Sequence, residues 1–476
     1  MNPLSPVRAL AFLALIAGLV VPLEGAAQVA PAAPYDTTAA VGLTLGDAVR
    51  LALTQSVELE RAGYTVALRA LDLRAARAAG DPELSVSGGP AVRYARGYAT
   101  DFFGNPDDTD PEFDLVTEGE TSAGVTASAQ FSLPLFDGGA RRANRRAAER
   151  VLDAARLDLD RAAEDVASQA ATQYLQVLQF ADIVRVETTN LEAERALLDR
   201  VQAEYDVGNR NISDVLQQRA AIALGEQRLA TARRNEAVAR LGLRQTLRLP
   251  PGTPLDLAPA PDDLLTRPLL DLDVAELVAL AFAERPDLDA QALLVEAAGF
   301  DIRAARAGRY PNLSLGGSAG TSFNTLDDNS GFGGQFFDVN PNTSAGLTLS
   351  IPILDQGRTR RAVERAQVLV SDADAALDLQ QLRVAADVET AVLDVEAAAA
   401  RLAAATEAVA AAREALAATE ARYRVGAGIF LDVLDARRVL VQAETDVAAA
   451  RYDLLIGRIA VAYQTGLLGE ALVALD

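Results

Sequence analysis

An internal duplication limits what this chain can fold into more than any other feature of its sequence. The stretch FSLPLFDGGARRA at 131–143 matches LSIPILDQGRTRR at 349–361, and YDVGNRNISDVL at 205–216 matches YRVGAGIFLDVL at 423–434, with an offset of 218 residues in both cases. An offset that holds without a gap over so long a stretch indicates one structural unit copied whole. The chain is therefore expected to contain two similar units.

The N-terminal parts of the two copies match at a different offset, which helps to set the limits of each copy. LTLGDAVRLAL at 43–53 matches LDVAELVALAF at 272–282, now 229 residues apart, so the first copy has 11 extra residues between Pro82 and Pro134. We predict a first repeat over 28–248, a proline-rich linker over 249–270, a second repeat over 271–469 and a C-terminal tail over 470–476. Proline favours an extended linker because it cannot continue a helix.

The N-terminus is typical of an export signal. Arg8 precedes an apolar run at 9–21, and small residues around Ala27 offer a cleavage site, so residues 1–27 are predicted to be a signal peptide. The run is shorter than the ~20 apolar residues that span a bilayer, and Pro22 and Glu24 interrupt it. No later segment is apolar enough for a membrane helix, so insertion in a membrane would require β-strands.

Composition narrows the possible functions. The chain has no cysteine and no histidine, which removes disulfides, an N-terminal lipidated cysteine, most zinc and haem sites, and the His-dependent nucleophile pairs. We therefore predict no enzyme activity, no cofactor and no metal. A formal charge of −22 argues against nucleic-acid binding, which depends on basic side chains.

Each repeat reads as a helix, two strands, a very long helix, a glycine break and a return helix. Opening helices are predicted over 43–79 and 272–308, long helices of roughly 70 residues end at Gly208 and Gly426, and return helices cover 213–247 and 431–467. Heptads with many alanines in the long helices fit either a coiled-coil stalk or a sheet of closely packed helices.

The strand pattern leaves two structures open. In GVTASAQFSLPL, Val125, Ala127, Ala129, Phe131 and Leu133 share one face and small polar residues share the other. The pattern fits a half-buried hairpin of a soluble protein and also a membrane strand. Four strands cannot close a barrel, so a membrane sheet would require a dimer with eight strands or a trimer with twelve.

This order of elements resembles the TolC family of outer-membrane efflux proteins over 43–469. The motifs SLPLFDGG and SIPILDQG at the strand-to-helix junctions, with YDVGNRNISDVL and YRVGAGIFLDVLDA at the glycine turns, carry the resemblance. It implies a mainly α fold with membrane β-strands: a homotrimer whose twelve-stranded outer-membrane barrel continues as a periplasmic α-helical barrel. The loops after Tyr98 and Phe323 would then be external.

The resemblance also implies a function. The chain would be the passive exit duct of a tripartite efflux or type I secretion system, held in outer-membrane lipid and docked to a periplasmic adaptor protein and an inner-membrane transporter. The alternative from the sequence is a structural tether, a coiled-coil stalk that spans the periplasm and whose hairpins are caps. No feature of the sequence identifies the cargo.

Residues for the inner tip of the duct follow from the resemblance position by position. Gly208 and Gly426 would form the helix-turn tips where the adaptor docks. Asp432 and Asp435 would ring the pore constriction, where carboxylates from three chains favour cations. In the first repeat, Asp214 corresponds to Asp432.

Tyr423 and Asp214 match residues that hold the closed tip together. The chain departs from the family pattern at one position. Gly428 lies five residues after Tyr423, where the resemblance predicts an arginine, and Arg210 occupies the equivalent position in the first repeat. Two alternatives follow, since Arg210 could make the closing contact from the other hairpin or the tip could be held more loosely.

Overall fold

The computed structural model describes residues 41–96, 119–260, 273–326 and 331–468. The signal peptide, the first external loop, part of the linker and the C-terminal tail lie outside these ranges, and their bounds remain predictions. Within the described ranges, no helix combines the length and the apolar character needed to cross a membrane. The described chain is mainly helical, as the sequence predicted.

The helices of more than ten residues and the four strands of the sheet follow the same order in both copies. The first copy contains β1 (Val41–Leu43), α1 (Leu45–Gln55), α2 (Val57–Ala78), β2 (Glu83–Arg96), β3 (Gly119–Phe136), α3 (Ala140–Asp206) and α4 (Ile212–Thr246). Strand β4 (Leu255–Leu257) lies in the linker, and the second copy contains α5 (Val274–Glu284), α6 (Pro286–Ala307), β5 (Asn312–Asn324), β6 (Asn342–Ser350), α7 (Arg358–Arg424) and α8 (Phe430–Gln464). Helices α3 and α7 have 67 residues each, which makes each about 100 Å long.

The opening helix of each repeat is broken in two, and the prediction of one continuous helix was wrong. Ser56 adopts an extended conformation between α1 and α2, and its hydroxyl accepts hydrogen bonds from the amides of Glu58 and Leu59. Arg285 is likewise extended, immediately before Pro286, because a residue that precedes proline avoids the helical region. The apolar period continues across both breaks, so periodicity alone did not reveal them.

Four strands form one antiparallel sheet in the order β2-β3-β5-β6. The two predicted hairpins are therefore present, and β3 pairs with β5 to join the two repeats. Strands β2 and β6 lie at the two edges, and neither has an outer neighbour among the described residues. The sheet is open, as four strands require.

The sheet has one apolar and one polar face. On the polar face, the hydroxyls of Ser87 and Ser128 lie 2.9 Å apart and those of Ser318 and Ser344 lie 2.8 Å apart. Apolar side chains fill the opposite face, yet they are largely exposed, with Leu347 at 65% in the single chain. In a soluble protein the core would cover this face of the hairpin. Because the isolated chain leaves the face exposed, we expect lipid or another protein chain to cover it.

The largest core lies at the middle of α3, where it packs against α1, the end of α4 and the last turns of α8. Buried Tyr174 fixes this region, because its hydroxyl lies 2.9 Å from the carbonyl oxygen of Leu43 and 2.7 Å from that of Ala258. These contacts hold the parallel pair β1–β4, which joins the start of the first repeat to the linker. Burial raises the pKa of Tyr174 to about 12, so its hydroxyl stays protonated at neutral pH.

An aspartate connects each hairpin to its long helix. The carboxylate of Asp137 accepts hydrogen bonds from the amides of Gly139 (3.1 Å) and Arg141 (2.8 Å). Asp355 does the same for Gly357 (3.0 Å) and Thr359 (2.8 Å). The DGG and DQG motifs therefore act as the helix starts that the sequence predicted.

The two junctions differ at one position that permits a matched test. Gly138 and Gln356 both have positive φ, +68° and +54°, but a Cβ on Gly138 would lie 2.7 Å from the carbonyl oxygen of Ala307 and 2.8 Å from Cβ of Tyr310. We expect Gly138→Gln to lower the free energy of unfolding by about 2–3 kcal/mol through strain and overpacking. The matched Gln356→Gly should change it by less than about 1 kcal/mol. Denaturant titration in detergent compares the two, and equal shifts would contradict the steric argument.

Candidate functional site

The two glycine turns lie at the ends of the long helices farthest from the sheet. Gly208 (φ +84°) and Gly426 (φ +74°) both adopt the left-handed conformation that only glycine enters without strain. In the first turn the amide of Asn209 donates to the carbonyl of Glu204 at 2.9 Å, which is the hydrogen bond of a Schellman helix ending. Local backbone geometry thus reverses the direction of the chain between the long helix and the return helix, and both turns lie where the sequence predicted them.

The structure brings Arg210, Tyr423 and Asp214 together from the two repeats of one chain. The hydroxyl of Tyr423 donates to Oδ2 of Asp214 at 2.9 Å. The guanidinium carbon of Arg210 lies 3.9 Å from the centre of the Tyr423 ring, and Nη2 of Arg210 donates to the Tyr423 carbonyl at 3.4 Å. Nε of Arg210 donates to Oε2 of Glu204 at 2.7 Å. We call Glu204, Arg210, Asp214 and Tyr423 the tip cluster.

The tip cluster explains why glycine is compatible with position 428. Arg422 stands in the second repeat where Glu204 stands in the first, and Gly428 lies against it, with an ideal Cβ 3.5 Å from Cβ of Arg422. An arginine at 428 would meet a like charge rather than the carboxylate that Arg210 meets. Arg210 of the other hairpin thus makes the contact with Tyr423, and its role in closing the tip remains a prediction.

A small apolar core supports the tip cluster from beneath. Phe430 is buried, and its ring centre lies 5.2 Å from that of Tyr423. Val201 and Val215 of the first repeat are fully buried in the same group. The group therefore packs the start of α8 against the first hairpin. These apolar contacts hold the Tyr423 ring in place independently of the hydrogen bond that its hydroxyl makes.

Electrostatics keep the members of the tip cluster in complementary states. Burial, and then the hydrogen bond to Asp214, raises the pKa of Tyr423 above its usual value. The hydrogen bond to Glu204 raises the pKa of Arg210. Because folding raises the pKa of Tyr423, the protonated hydroxyl stabilises the folded chain. This stabilisation is fully present below the ordinary tyrosine pKa of about 10 and is lost only as the pH rises through the higher pKa of the folded state.

Asp432 and Asp435 do not join the tip cluster. Asp432 lies exposed in the first turn of α8, and it makes no ion pair within the described part of the chain. Asp435 is also exposed, and Nη2 of Arg438 lies 3.4 Å from its Oδ1. An exposed pair of this kind is weak. Asp214 and Asp432 are equivalent positions of the two repeats, yet of these two only Asp214 accepts a hydrogen bond from Tyr423.

Two residues of this region were missed by sequence reasoning. Glu204 lies six residues before Arg210 on the other side of the turn, a spacing that the turn geometry alone brings into contact. Phe430 replaces Ile212 of the first repeat, and an aromatic residue at the start of a helix beside Tyr423 was the available signal. Among the described residues, no group of three acidic side chains is placed to hold a metal ion.

Long helical hairpins that extend from a small sheet with an exposed apolar face define a class of protein: outer-membrane channels. A crystal structure of the outer membrane protein VceC from Vibrio cholerae has the same fold, with a TM-score of 0.67, 19% identity, and coverage of 89% of this chain and 96% of that one. The model of the outer membrane efflux protein family matches residues 48–247 and 277–467. The chain belongs to this family.

Two relatives agree with this assignment. The pyoverdine export outer membrane protein OpmQ of Pseudomonas putida is 27% identical over 350 residues, which cover 74% of this chain and 72% of that protein. The outer membrane protein TolC of Escherichia coli is 28% identical over 312 residues, 63% of this chain and 61% of that protein. The resemblance to the TolC family is confirmed.

Membership settles the class of activity and the location. The protein is an outer-membrane exit duct for efflux or secretion rather than an enzyme, and it extends into the periplasm. The roles predicted for Asp432, Asp435, Tyr423, Asp214, Arg210, Gly208 and Gly426 remain predictions.

Proposed function

We propose that three copies of this chain assemble into a continuous passive channel, a closed barrel in the outer membrane followed by a helical tunnel through the periplasm. The observation that carries this proposal is the open four-stranded sheet, which has an exposed apolar face and two edges without a partner strand among the described residues. Lipid offers no hydrogen bonds to a strand edge, so the edges of β2 and β6 must pair with other copies.

The dimensions of the sheet support a membrane position. From Leu313 to Phe323, β5 covers ten residue steps, or about 33 Å along the strand and about 25 Å in height at a usual tilt. Aromatic side chains lie near both ends of this apolar band: Phe136 and Tyr310 toward the helices, and Tyr94 and Phe323 toward the loops. Aromatic residues of membrane barrels concentrate at these two levels.

Barrel size favours three copies over two. Two chains would give eight strands, and the interior of an eight-stranded barrel is filled by its own side chains. Three chains give twelve strands of the kind seen here, which leaves an aqueous passage lined by the serine-rich polar face. A duct requires that passage, whereas a structural tether does not, so family membership and the two-faced sheet favour the channel.

The periplasmic end is proposed to be gated and docked. In a trimer the tip clusters of three chains would surround the axis, with Asp432 and Asp435 of α8 lining the constriction. The turns at Gly208 and Gly426 would be the surface that a periplasmic adaptor contacts, and an inner-membrane transporter would supply cargo and energy. The cargo is set by that transporter.

Planar bilayer recordings on adjacent variants test the channel. Ala129 faces the apolar side at mid-sheet and Gln130 the polar side. We expect Ala129→Arg to impair membrane insertion by about 2–4 kcal/mol, whereas Gln130→Arg should insert, conduct and shift selectivity toward anions. Native mass spectrometry of the wild-type protein should give the mass of three chains. Equal insertion of both variants would refute the proposed membrane face, and unchanged selectivity of inserted Gln130→Arg would refute the polar face as the channel lining.

A further inference from the structure

A phenylalanine-rich segment follows β5 at the loop end of the sheet. It contains a helical turn over Phe332–Gly334 and a π-helical turn over Gln335–Val339. We call residues 331–340, GFGGQFFDVN, the aromatic segment. Neither the tip nor the channel lining uses it, so its place on the sheet has a separate explanation.

Side-chain amides fasten the aromatic segment to the free edge of β5. Pairing between β5 and β6 ends at Gly320 and Asn342. Beyond that point, Nδ2 of Asn340 donates to the carbonyl of Ser322 at 2.6 Å. The side chain of Gln335 accepts from the amide of Asn324 at 2.9 Å and donates to its carbonyl at 3.1 Å. The two amides thus take the place of β6, so the segment is held in a defined position.

The aromatic segment lies over the apolar face of the sheet. Phe323 and Thr321 pair with Val125 and Ala127 of β3, so they share the apolar face of that strand. The hydroxyl of Thr321 donates to the carbonyl of Phe336. The ring centres of Phe323 and Phe332 lie 5.1 Å apart. Both contacts place the segment on the side opposite the serine-rich face.

Large apolar side chains of the segment face outward. Phe332 and Phe336 stack with ring centres 5.2 Å apart, and Phe336 contacts Phe337 at 5.3 Å. Phe337 is nonetheless 52% exposed and Val339 is 62% exposed, while Gln335 is 1% exposed. The segment thus satisfies its polar groups against β5 and leaves a rigid apolar surface outside.

We propose that the aromatic segment is a lipid anchor that inserts between the headgroups and the acyl chains of the outer leaflet. The proposal rests on the proposed function, in which the apolar face of the sheet meets lipid and the loop end is external. The outward surface of the segment is continuous with that face. Aromatic rings favour the interface, and exposed Asp338 would remain among the headgroups. Such an anchor would fix the height of the barrel in the membrane.

The absence of tryptophan from the chain provides a direct test. Phe337→Trp would create a single fluorescent reporter on the aromatic segment. Val86→Trp would report on the middle of the apolar face, and Val207→Trp on the exposed periplasmic turn. Each full-length variant would be reconstituted in phosphatidylcholine vesicles with brominated acyl chains, which quench only at close range, and separately titrated with aqueous acrylamide.

We expect bromines near the headgroup end of the acyl chains to reduce the Phe337→Trp emission at least about twofold relative to Val207→Trp, with weak quenching by acrylamide. Quenching of Val86→Trp by bromine, together with quenching of Phe337→Trp by acrylamide alone, would overturn the anchor and leave the channel intact. That result would instead place the segment over the mouth of the duct. If bromine quenches neither reporter, the proposed membrane face itself is wrong.

Discussion

The mean current through single channels should rise by at least an order of magnitude when Arg210 is replaced by alanine. The variant loses the cation–π contact with Tyr423 and the hydrogen bond to its carbonyl, together worth about 2 kcal/mol in each chain. If each chain's tip has a closed and an open state, a loss of ~2 kcal/mol multiplies the open-to-closed ratio of that chain about 30-fold. Planar bilayer recordings at constant voltage measure the change.

Matched variants separate the tip cluster from a general disturbance of the turn. Tyr423→Phe removes only the hydroxyl that Asp214 accepts and should open the tip less than Arg210→Ala. Tyr205→Phe alters the equivalent tyrosine of the first repeat, for which no side-chain hydrogen bond is found within the described residues, and should leave conductance unchanged. Arg210→Lys keeps the charge but loses the planar fork, so an intermediate conductance is expected. A closed Arg210→Ala channel would refute the gating role.

Selectivity for cations should fall when Asp432 and Asp435 are both replaced by asparagine. Six carboxylates would leave the constriction of a trimer, and block by a trivalent cation should weaken by at least about tenfold, because such ions bind to clustered charge. Reversal potentials in a salt gradient measure the selectivity, and titration of the blocking ion measures the affinity.

Neighbouring charges provide the controls for the acidic ring. Arg438 contacts Asp435, so Arg438→Gln should strengthen cation selectivity if Asp435 faces the pore. Asp206→Asn removes an exposed carboxylate from the first turn, which is not predicted to lie in the ring. It should therefore change selectivity less than Asp432→Asn alone. Equal effects of Asp206→Asn and Asp432→Asn would show that overall tip charge, rather than a ring, sets selectivity.

Much of the fold could be predicted because the long elements repeat their pattern many times. The return helices were expected over 213–247 and 431–467, and α4 and α8 begin one residue earlier and end within a few residues of these limits. Short elements were missed, since β1 and β4 have three residues each and exist through the contacts of Tyr174 rather than through any pattern. The breaks at Ser56 and Arg285 were missed because a serine cap in one repeat and Pro286 in the other interrupt an apolar period that itself continues.

The candidate site divides in the same way. The sequence by itself determined the duplication, the glycine turns and the acids beside them, because each depends on local backbone preference and a copied register. Tertiary structure alone decided that Asp214 pairs with Tyr423 while its repeat partner Asp432 remains exposed, and that Arg210 crosses to the other hairpin. Contacts between residues about 210 positions apart depend on how two helical hairpins pack, and a repeated sequence gives equivalent residues the same pattern even where packing gives them different partners.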